Sequence, residues 1–533
     1  MAEDNSSEKS KVAKAAGIVG AATMVSRIFG LLRDIVIAAF FGAGWKTDAF
    51  WVAYRIPNML RRLLGEGALT ISFVPVFTEY LQKKTRQQAV ELASVIFTLL
   101  SGFLAIITLA GIILSPVIVG LIAPGFISEP QQFTLAVFLN RLMFPYIFFI
   151  SLVALCMGIL NSLRHFSAPA LSPVMLNVTM IASAFLLKDY FAEPITALAV
   201  GVLIGGFFQL VMQWPFLLKY GVKFKIKFDL RHPGLRQIGY LFIPAVFSAS
   251  VNTLNVFVGT ILASLLPYGS VTYLFYADRV MELPLGVFAI AVGTATLPSF
   301  SRQATNKNTS ELKTSLSFSL RLMLFLIIPA MFALIALNQP IISVLFQRGA
   351  FDATASVLTG QALFCYALGL WAFAVVRIFL SAFYSLQDSK WPMKAAFISF
   401  GVNILASVIL MYPLKHNGLA LANSLAVTVN VFVLAAALKK KIGPFLDKEF
   451  YKALLKIIIA SLVMLAAILL VSIYHPWNIV VGFKEKLFYL LSVISLGGIA
   501  FLVSAYLLKI TEVKKVVNLI KQRFRPQQGR FDG

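Results

Sequence analysis

Three ionisable side chains, Arg27, Arg33 and Asp34, stand in the middle of MVSRIFGLLRDIVIAAFFGAG, a stretch that otherwise reads as membrane-spanning helix. The next apolar stretch adds Asp48, Arg55, Arg61, Arg62 and Glu66, and a later one carries Asp278, Arg279 and Glu282. A charge at the centre of a span costs about 2.5–3.5 kcal/mol on insertion scales, so it persists where it faces protein or water. Five arginines against three acids in the first two stretches make a cationic set. Such a set suits an anionic ligand, and the planar arginine fork matches phosphate oxygens. Helical spacing puts Arg27 and Asp34 on one face, and likewise Arg55 and Arg62; Arg62 and Glu66 stand in ion-pair register. Arg33 lies off the Arg27 face, so both reach one cavity only if it is wide or the helix is irregular near Gly30. Plainer readings compete. Arg55, Arg61 and Arg62 could snorkel to an interface or pair with Glu66, Asp34 and Asp48 could be counter-ions, and Asp278 and Glu282 could orient neighbouring arginines. Lone Arg141, Arg321 and Arg377 read as structural or interfacial.

The elements that carry these residues follow from composition. The chain has 533 residues, 59% hydrophobic and 13% charged, where a soluble chain is nearer a quarter charged. The fold class is therefore an all-α polytopic membrane protein. Spans need about 20 apolar residues each, and apolar runs bounded by Gly, Pro and charge clusters predict about fourteen. Among them are 14–42, 47–82, 90–122, 131–161, 312–337 and 354–386. The second is too long for one straight helix, and Pro57, Gly65 and Gly67 predict a bend or break. No cleavable signal peptide is expected, since residues 1–13 are polar and the first apolar run is too long. Cys156 and Cys365 lie in separate apolar runs and read as packed thiols.

Net charge is +24. On a soluble protein this would suggest nucleic acid. Here Lys and Arg concentrate in alternate loops, including Lys219–Arg236 and Lys439–Lys441. The positive-inside rule then predicts both termini in the cytoplasm and no nucleic-acid role. The basic tail KKVVNLIKQRFRPQQGR is expected to meet anionic membrane lipids.

A weak repeat organises the spans. FVPVF at 73–77 resembles TLPSF at 296–300, and NSLRHFSAPA at 161–170 resembles YSLQDSKWPM at 384–393. The identities Pro75/Pro298, Phe77/Phe300, Ser162/Ser385, Leu163/Leu386 and Pro169/Pro392 share one offset. Two pseudo-symmetric six-helix lobes follow, 14–220 and 235–440, joined by a basic cytoplasmic linker at 221–234. Residues 1–13 precede them, two further spans fill 441–512, and 513–533 is a basic tail. An even number of spans per lobe makes the repeat parallel, and two-lobed membrane proteins of this kind usually transport.

Other chemistry finds little support. There is no G-x-x-x-x-G-K-[ST] loop for ATP. His165, His232, His416 and His475 are scattered and make no metal site. A membrane glycosyltransferase would need an outer-face carboxylate, for which the short loops offer only Glu129, Asp189, Glu193 and Asp352. A drug or cation antiporter would want carboxylates in excess over arginine in the first two spans. A channel would want charged rings.

The blocks SRIFGLLRD at 26–34, FGAGWKTDAFWVAYRIPNMLRRLLGEGALTISFVPVF at 41–77 and YADRVMELPLGVFAIAVGTATLPSFSR at 276–302 resemble the MviN/MurJ family of lipid II flippases. These belong to the multidrug/oligosaccharidyl-lipid/polysaccharide exporter superfamily. The resemblance extends over nearly the whole chain and agrees with fourteen spans. It implies a V-shaped pair of lobes, alternating access, and export of the undecaprenyl-pyrophosphate-linked peptidoglycan precursor across the bacterial cytoplasmic (inner) membrane. A flippase for another polyprenyl-diphosphate saccharide would carry the same arginines and stays the runner-up. The resemblance implies Arg27, Arg33, Arg61 and Arg279 at the pyrophosphate and headgroup. It places Asp34, Asp48, Arg62 and Glu66 at the family's other charged positions, and makes spans 13 and 14 a groove for the polyprenyl tail. Some members bind sodium through carboxylate and amide oxygens; the polar candidates here are Asn255, Asn403, Ser407 and Asn423, with no carboxylate. Membrane potential, H+ or Na+ therefore remain open as the driving force, with no resident cofactor. A monomer is sufficient, and contact with cell-wall synthesis machinery is plausible on this resemblance.

Overall fold

The computed structural model describes residues 2–61, 69–305, 308–477, 480 and 482–513. Every regular element among them is helical. Helix α1 spans Ala2–Phe41, so the expected separate N-terminal segment 1–13 is part of the first helix. The second predicted span is divided into α2 (Trp45–Leu60) and α3 (Thr70–Lys83). Then come α4 (Arg86–Ile113), α5 (Ser115–Ile122), α6 (Pro130–Met143), α7 (Tyr146–Ser162), α8 (Ser167–Leu186) and α9 (Thr196–Lys219). After the linker follow α10 (Pro233–Ser264), α11 (Ser270–Thr305), α12 (Thr309–Ala336), α13 (Asn338–Phe346), α14 (Ala353–Ala367) and α15 (Leu370–Ser385). The chain continues through α16 (Lys390–Leu414), α17 (His416–Ile442), α18 (Lys448–Tyr474) and α19 (Phe483–Leu507).

Nine spans among the described residues, with α6 and α7 together forming one of them (Pro130–Ser162), are long and apolar enough to cross a membrane, or ten if the α14–α15 pair, bent by 43°, is also one span. Three predicted spans are broken. Leu114 leaves helical geometry before Pro116 and divides 90–122 into α4 and α5. Pro145, which lacks an N–H to donate, divides 131–161 into α6 and α7. Gly369 stands at the bend inside 354–386. The short α13 lies in what the sequence presents as the loop between 312–337 and 354–386.

The repeat is written into the helix boundaries. Arg86–Ile113 and Thr309–Ala336 begin and end 223 residues apart. Helices α6 and α14 start at Pro130 and Ala353, and α8 and α16 at Ser167 and Lys390, with the same separation. The turn after α7 recurs too. Arg164 has φ 59° and His165 N donates to Leu160 O; 223 residues on, Gln387 has φ 54° and Asp388 N donates to Phe383 O. Both are the wrap-around hydrogen bond that ends a helix on a left-handed residue.

The chain divides into two compact units, 1–272 with 348–352, and 273–347 with 353–533. In the first, α8 packs between α1 and α9, α2 packs on α6, and α10 lies on α3, α4 and α5. Its core is Phe73, Phe77, Leu92, Ile96, Leu155 and Ile159, with Phe73 and Phe77 stacked at 5.2 Å. In the second, α16 packs on α17, α12 on α15 and α18, and α18 on α19. The predicted lobes break at the linker, whereas this division falls inside α11 and leaves α10 with the first unit.

Candidate functional site

Helix α1 runs through Gly30 without interruption, so Arg27 and Arg33 remain on different faces. Arg27 is exposed and makes no hydrogen bond or ion pair among the described residues. Arg33 is only 4% exposed and Asp34 2%. Both Arg33 Nε and Nη2 donate to Asp34 Oδ1, at 3.0 and 2.7 Å, and Nη1 donates to Asn177 Oδ1 at 3.0 Å. Asn177 Nδ2 donates in turn to the Ser26 carbonyl at 3.3 Å, which ties α8 back to α1. Sequence neighbours do not face each other on a helix; the length of the arginine lets it fold over onto Asp34. Burial demands this arrangement, because an arginine taken out of water needs a counter-ion and acceptors for its remaining N–H groups.

Asp48, 2% exposed, does a different job. Its Oδ2 accepts from Gly269 N at 2.6 Å, and its Oδ1 accepts from Thr272 N at 2.9 Å and Thr272 Oγ1 at 2.6 Å. The carboxylate thus caps the start of α11 from α2, where unpaired amides and the helix dipole favour an anion. Arg55, half-buried, donates from Nη1 to Thr260 Oγ1 at 2.7 Å on α10. Arg61 Nε donates to Asn58 Oδ1 at 3.2 Å, one turn back. Arg62 and Glu66 lie outside the described residues.

At the end of α1 two backbones cross closely. Ala350 N donates to Ala39 O at 2.8 Å, while Gly42 and Gly349 hold φ of 64° and 57°. A Cβ on Gly349 would sit 2.2 Å from the Ala39 carbonyl oxygen, and one on Gly42 would sit 2.4 Å from that of Ala350. Only glycine fits such a left-handed crossing.

In the second unit, Arg279 lies over the Phe275 ring, 5.1 Å from its centroid, with Nη1 3.6 Å from Glu282 Oε2. Arg279 and Asp278 are half-buried and Glu282 is exposed. Asn403 and Ser407 are buried one turn apart on α16, and Ser407 Oγ reaches Asn403 Oδ1 at 3.5 Å. Asn423 is half-buried on the adjacent α17, whereas Asn255 belongs to the first unit. No group of three or more His, Cys, Asp or Glu that could hold a metal occurs among the described residues. Arg321 pairs with Glu449 and Glu512, in keeping with a structural role.

Sequence reasoning missed Asn177, Thr260 and Thr272, the neutral partners of Arg33, Arg55 and Asp48. Asn177 left one trace, an amide in the apolar run 168–188. The threonines left none, since a hydroxyl that satisfies its own helix is tolerated at any depth.

A family model described as lipid II flippase MurJ matches residues 37–489. The probable lipid II flippase MurJ of Buchnera aphidicola subsp. Schizaphis graminum is 36% identical over 495 residues, covering 92% of this chain and 96% of its own length. That of Vibrio cholerae is 34% identical over 509 residues, with 93% and 96% coverage. Among solved structures, a lipid II flippase MurJ in an inward closed conformation superposes with a TM-score of 0.78 at 30% identity, covering 92% of this chain and 98% of that one. An inward-facing multidrug resistance MATE family transporter shares the fold, with a TM-score of 0.65 at 15% identity and coverage of 81% and 98%.

Proposed function

Since the chain belongs to the lipid II flippase MurJ family, and so is a transporter that flips lipid II in the bacterial inner membrane, we propose that its mid-membrane arginines carry the lipid's diphosphate. The observation that supports this reading most directly is Arg27: an exposed cation, without a partner among the described residues, in the middle of an apolar helix. Without a fixed charge at that depth the diphosphate would bear its own desolvation in hydrocarbon. Arg27 makes the first contact. Arg33 is offset by Asp34 in this state, and the diphosphate competes with Asp34 for it. Arg61 adds a third cation, and Arg279, held over Phe275, is the fourth. Asp48 fixes the start of α11, the helix that carries Arg279.

The rest of the assignment extends the same reading. Both termini are placed in the cytoplasm by the distribution of Lys and Arg, and α18 with α19 forms the tail groove. The cycle draws on membrane potential or on an H+ or Na+ gradient, with the neutral Asn255, Asn403, Ser407 and Asn423 as the cation candidates. A monomer is sufficient for this reading, and cell-wall synthesis machinery is the expected neighbour.

The test is complementation. A bacterium depleted of its own flippase receives the wild type, Arg27→Ala or Arg279→Ala, and outer-leaflet lipid II is read by enzymatic cleavage. Restoration by the wild type alone is expected. Wild-type exposure from a membrane-inserted Arg27→Ala variant would sink the arginine assignment, and failure of an inserted wild type would point to another polyprenyl-diphosphate saccharide.

A further inference from the structure

The linker after α9 is neither a solvated loop nor a helix. Residues 223–231, KFKIKFDLR, lie along α4 without regular structure as far as Asp229 and turn at Leu230 and Arg231. Lys225 N donates to Ser94 Oγ at 3.3 Å and Lys227 N to Thr98 Oγ1 at 3.1 Å, one helical turn further on. Phe224 stacks on Phe97 at 4.3 Å, and Lys227 Nζ pairs with Glu91. The strap is therefore pinned by its backbone, by one ring and by one ion pair. Lys223, Lys225 and Arg231 are exposed, and so are Ile226 at 95%, Phe228 at 74% and Leu230 at 65%.

A loop that only marks the cytoplasmic side needs its lysines in water. It does not need three large apolar side chains presented outward beside them. Depth supplies the second half of the argument. Along α3 and α4, no large apolar side chain is exposed between Ile71 and Phe103, and from Phe103 the exposed ones continue through Ile106, Leu109 and Ile113. Hydrocarbon contact thus begins near Phe103. Thr98 and Ser94 lie five and nine residues short of it, about 8–14 Å at 1.5 Å per residue. The headgroup layer on each side of the hydrocarbon is about 5–8 Å thick. Ser94 is thus outside that layer and Thr98 at its outer edge; the strap descends from the first to the second, so its Lys227 end meets the headgroup level, and a side chain as long as Phe228 reaches towards the acyl boundary from there.

We propose that residues 223–231 form a binding site for anionic phospholipid, in which Lys223, Lys225 and Arg231 take headgroup phosphates while Ile226, Phe228 and Leu230 enter the acyl boundary. Basic residues set among apolar ones at this depth are the pattern of interfacial segments that hold anionic lipid. The one acid within it, Asp229, accepts from Arg231 N at 2.9 Å and shapes the turn. None of these residues belongs to the transport site, so the site stands or falls independently of the flippase assignment.

The test uses the full-length chain in nanodiscs with Phe228→Trp as reporter, its quenching read as the increment over the wild type and its six native tryptophans, and Ile226→Trp as a second reporter should the first variant be unstable. Bromine-labelled phosphatidylglycerol and bromine-labelled phosphatidylcholine are compared at equal mole fraction as quenchers. Quenching by both is expected, stronger with phosphatidylglycerol and falling towards parity at high salt. Adding Lys223→Gln and Lys225→Gln should cut the preference, roughly five-fold in local enrichment for each lysine, and leave the apolar quenching. Absence of quenching by either lipid from both reporters would overturn the membrane contact. Equal quenching would overturn anionic recognition, and a preference undiminished by the double substitution would overturn the role of the lysines.

Discussion

Arg33, Asp34 and Asn177 allow fold and transport to be separated. Removing one member of a buried ion pair leaves the other uncompensated and costs about 3–5 kcal/mol, whereas replacing both by apolar groups of similar size is close to neutral. Arg33→Met leaves Asp34 buried at 2% exposure and takes the donor from Asn177 Oδ1. It should lose about 3 kcal/mol or more, as should Asp34→Leu, which leaves a buried arginine without its carboxylate. The combined Arg33→Met, Asp34→Leu protein should recover most of this; two single losses of about 3 kcal/mol against a double loss of about 1 kcal/mol give a coupling energy of roughly 5 kcal/mol in the double-mutant cycle. Arg27→Ala, exposed and without a partner among the described residues, should change stability by less than about 0.5 kcal/mol. Stability is read as thermal unfolding in detergent, and transport as lipid II exposed on the outer leaflet of flippase-depleted cells. All four variants are expected to lose transport. If the restored double variant flips lipid II at the wild-type rate, the pair is a packing device and the account given for Arg33 is wrong. A coupling energy near zero would contradict the buried-pair geometry itself.

Two further outcomes follow from geometry. Gly349→Ala should destabilise the chain, because a left-handed residue with a side chain costs about 1–2 kcal/mol before its Cβ meets the Ala39 carbonyl 2.2 Å away; Gly102→Ala, whose Cβ would meet nothing within 4 Å, is the control, and equal melting temperatures would refute the close crossing. At the turn between α15 and α16, the Lys441 ammonium, 2.5 Å from Asp388 Oδ2, holds that carboxyl below its ordinary value of 3.8. A depressed folded-state pKa adds stability that is fully present above 3.8 and fades as pH falls through the folded value. Melting temperatures between pH 7 and pH 3 should therefore drop more steeply for the wild type than for Asp388→Asn, and parallel curves would remove the clasp.

Much of this was legible because membrane depth limits what a sequence can mean. Apolar runs must be helices there, since no other open element satisfies its own backbone, so the all-α class and the helices around α4, α8, α9, α12 and α16 to α19 could be read directly. The repeat was visible from a few identities such as Pro75/Pro298, and helix boundaries 223 residues apart, Arg86 and Thr309 among them, carry it much further. The arginines were conspicuous for the same reason: charge is rare at that depth.

What stayed hidden is which neutral groups meet those charges. Arg27 and Arg33 looked alike in sequence, yet one is exposed and the other is wrapped by Asp34 and by Asn177, which lies 144 residues away. Asp48 looked like one more cavity charge, and its partners are two backbone amides and a hydroxyl more than 200 residues distant. Composition and period decide which segments enter the membrane because that choice depends on each segment's own transfer free energy. The pairing of a charge with an amide or a hydroxyl depends on which helices pack together, and a polar side chain that satisfies a distant partner looks, in sequence, like one that satisfies its own turn.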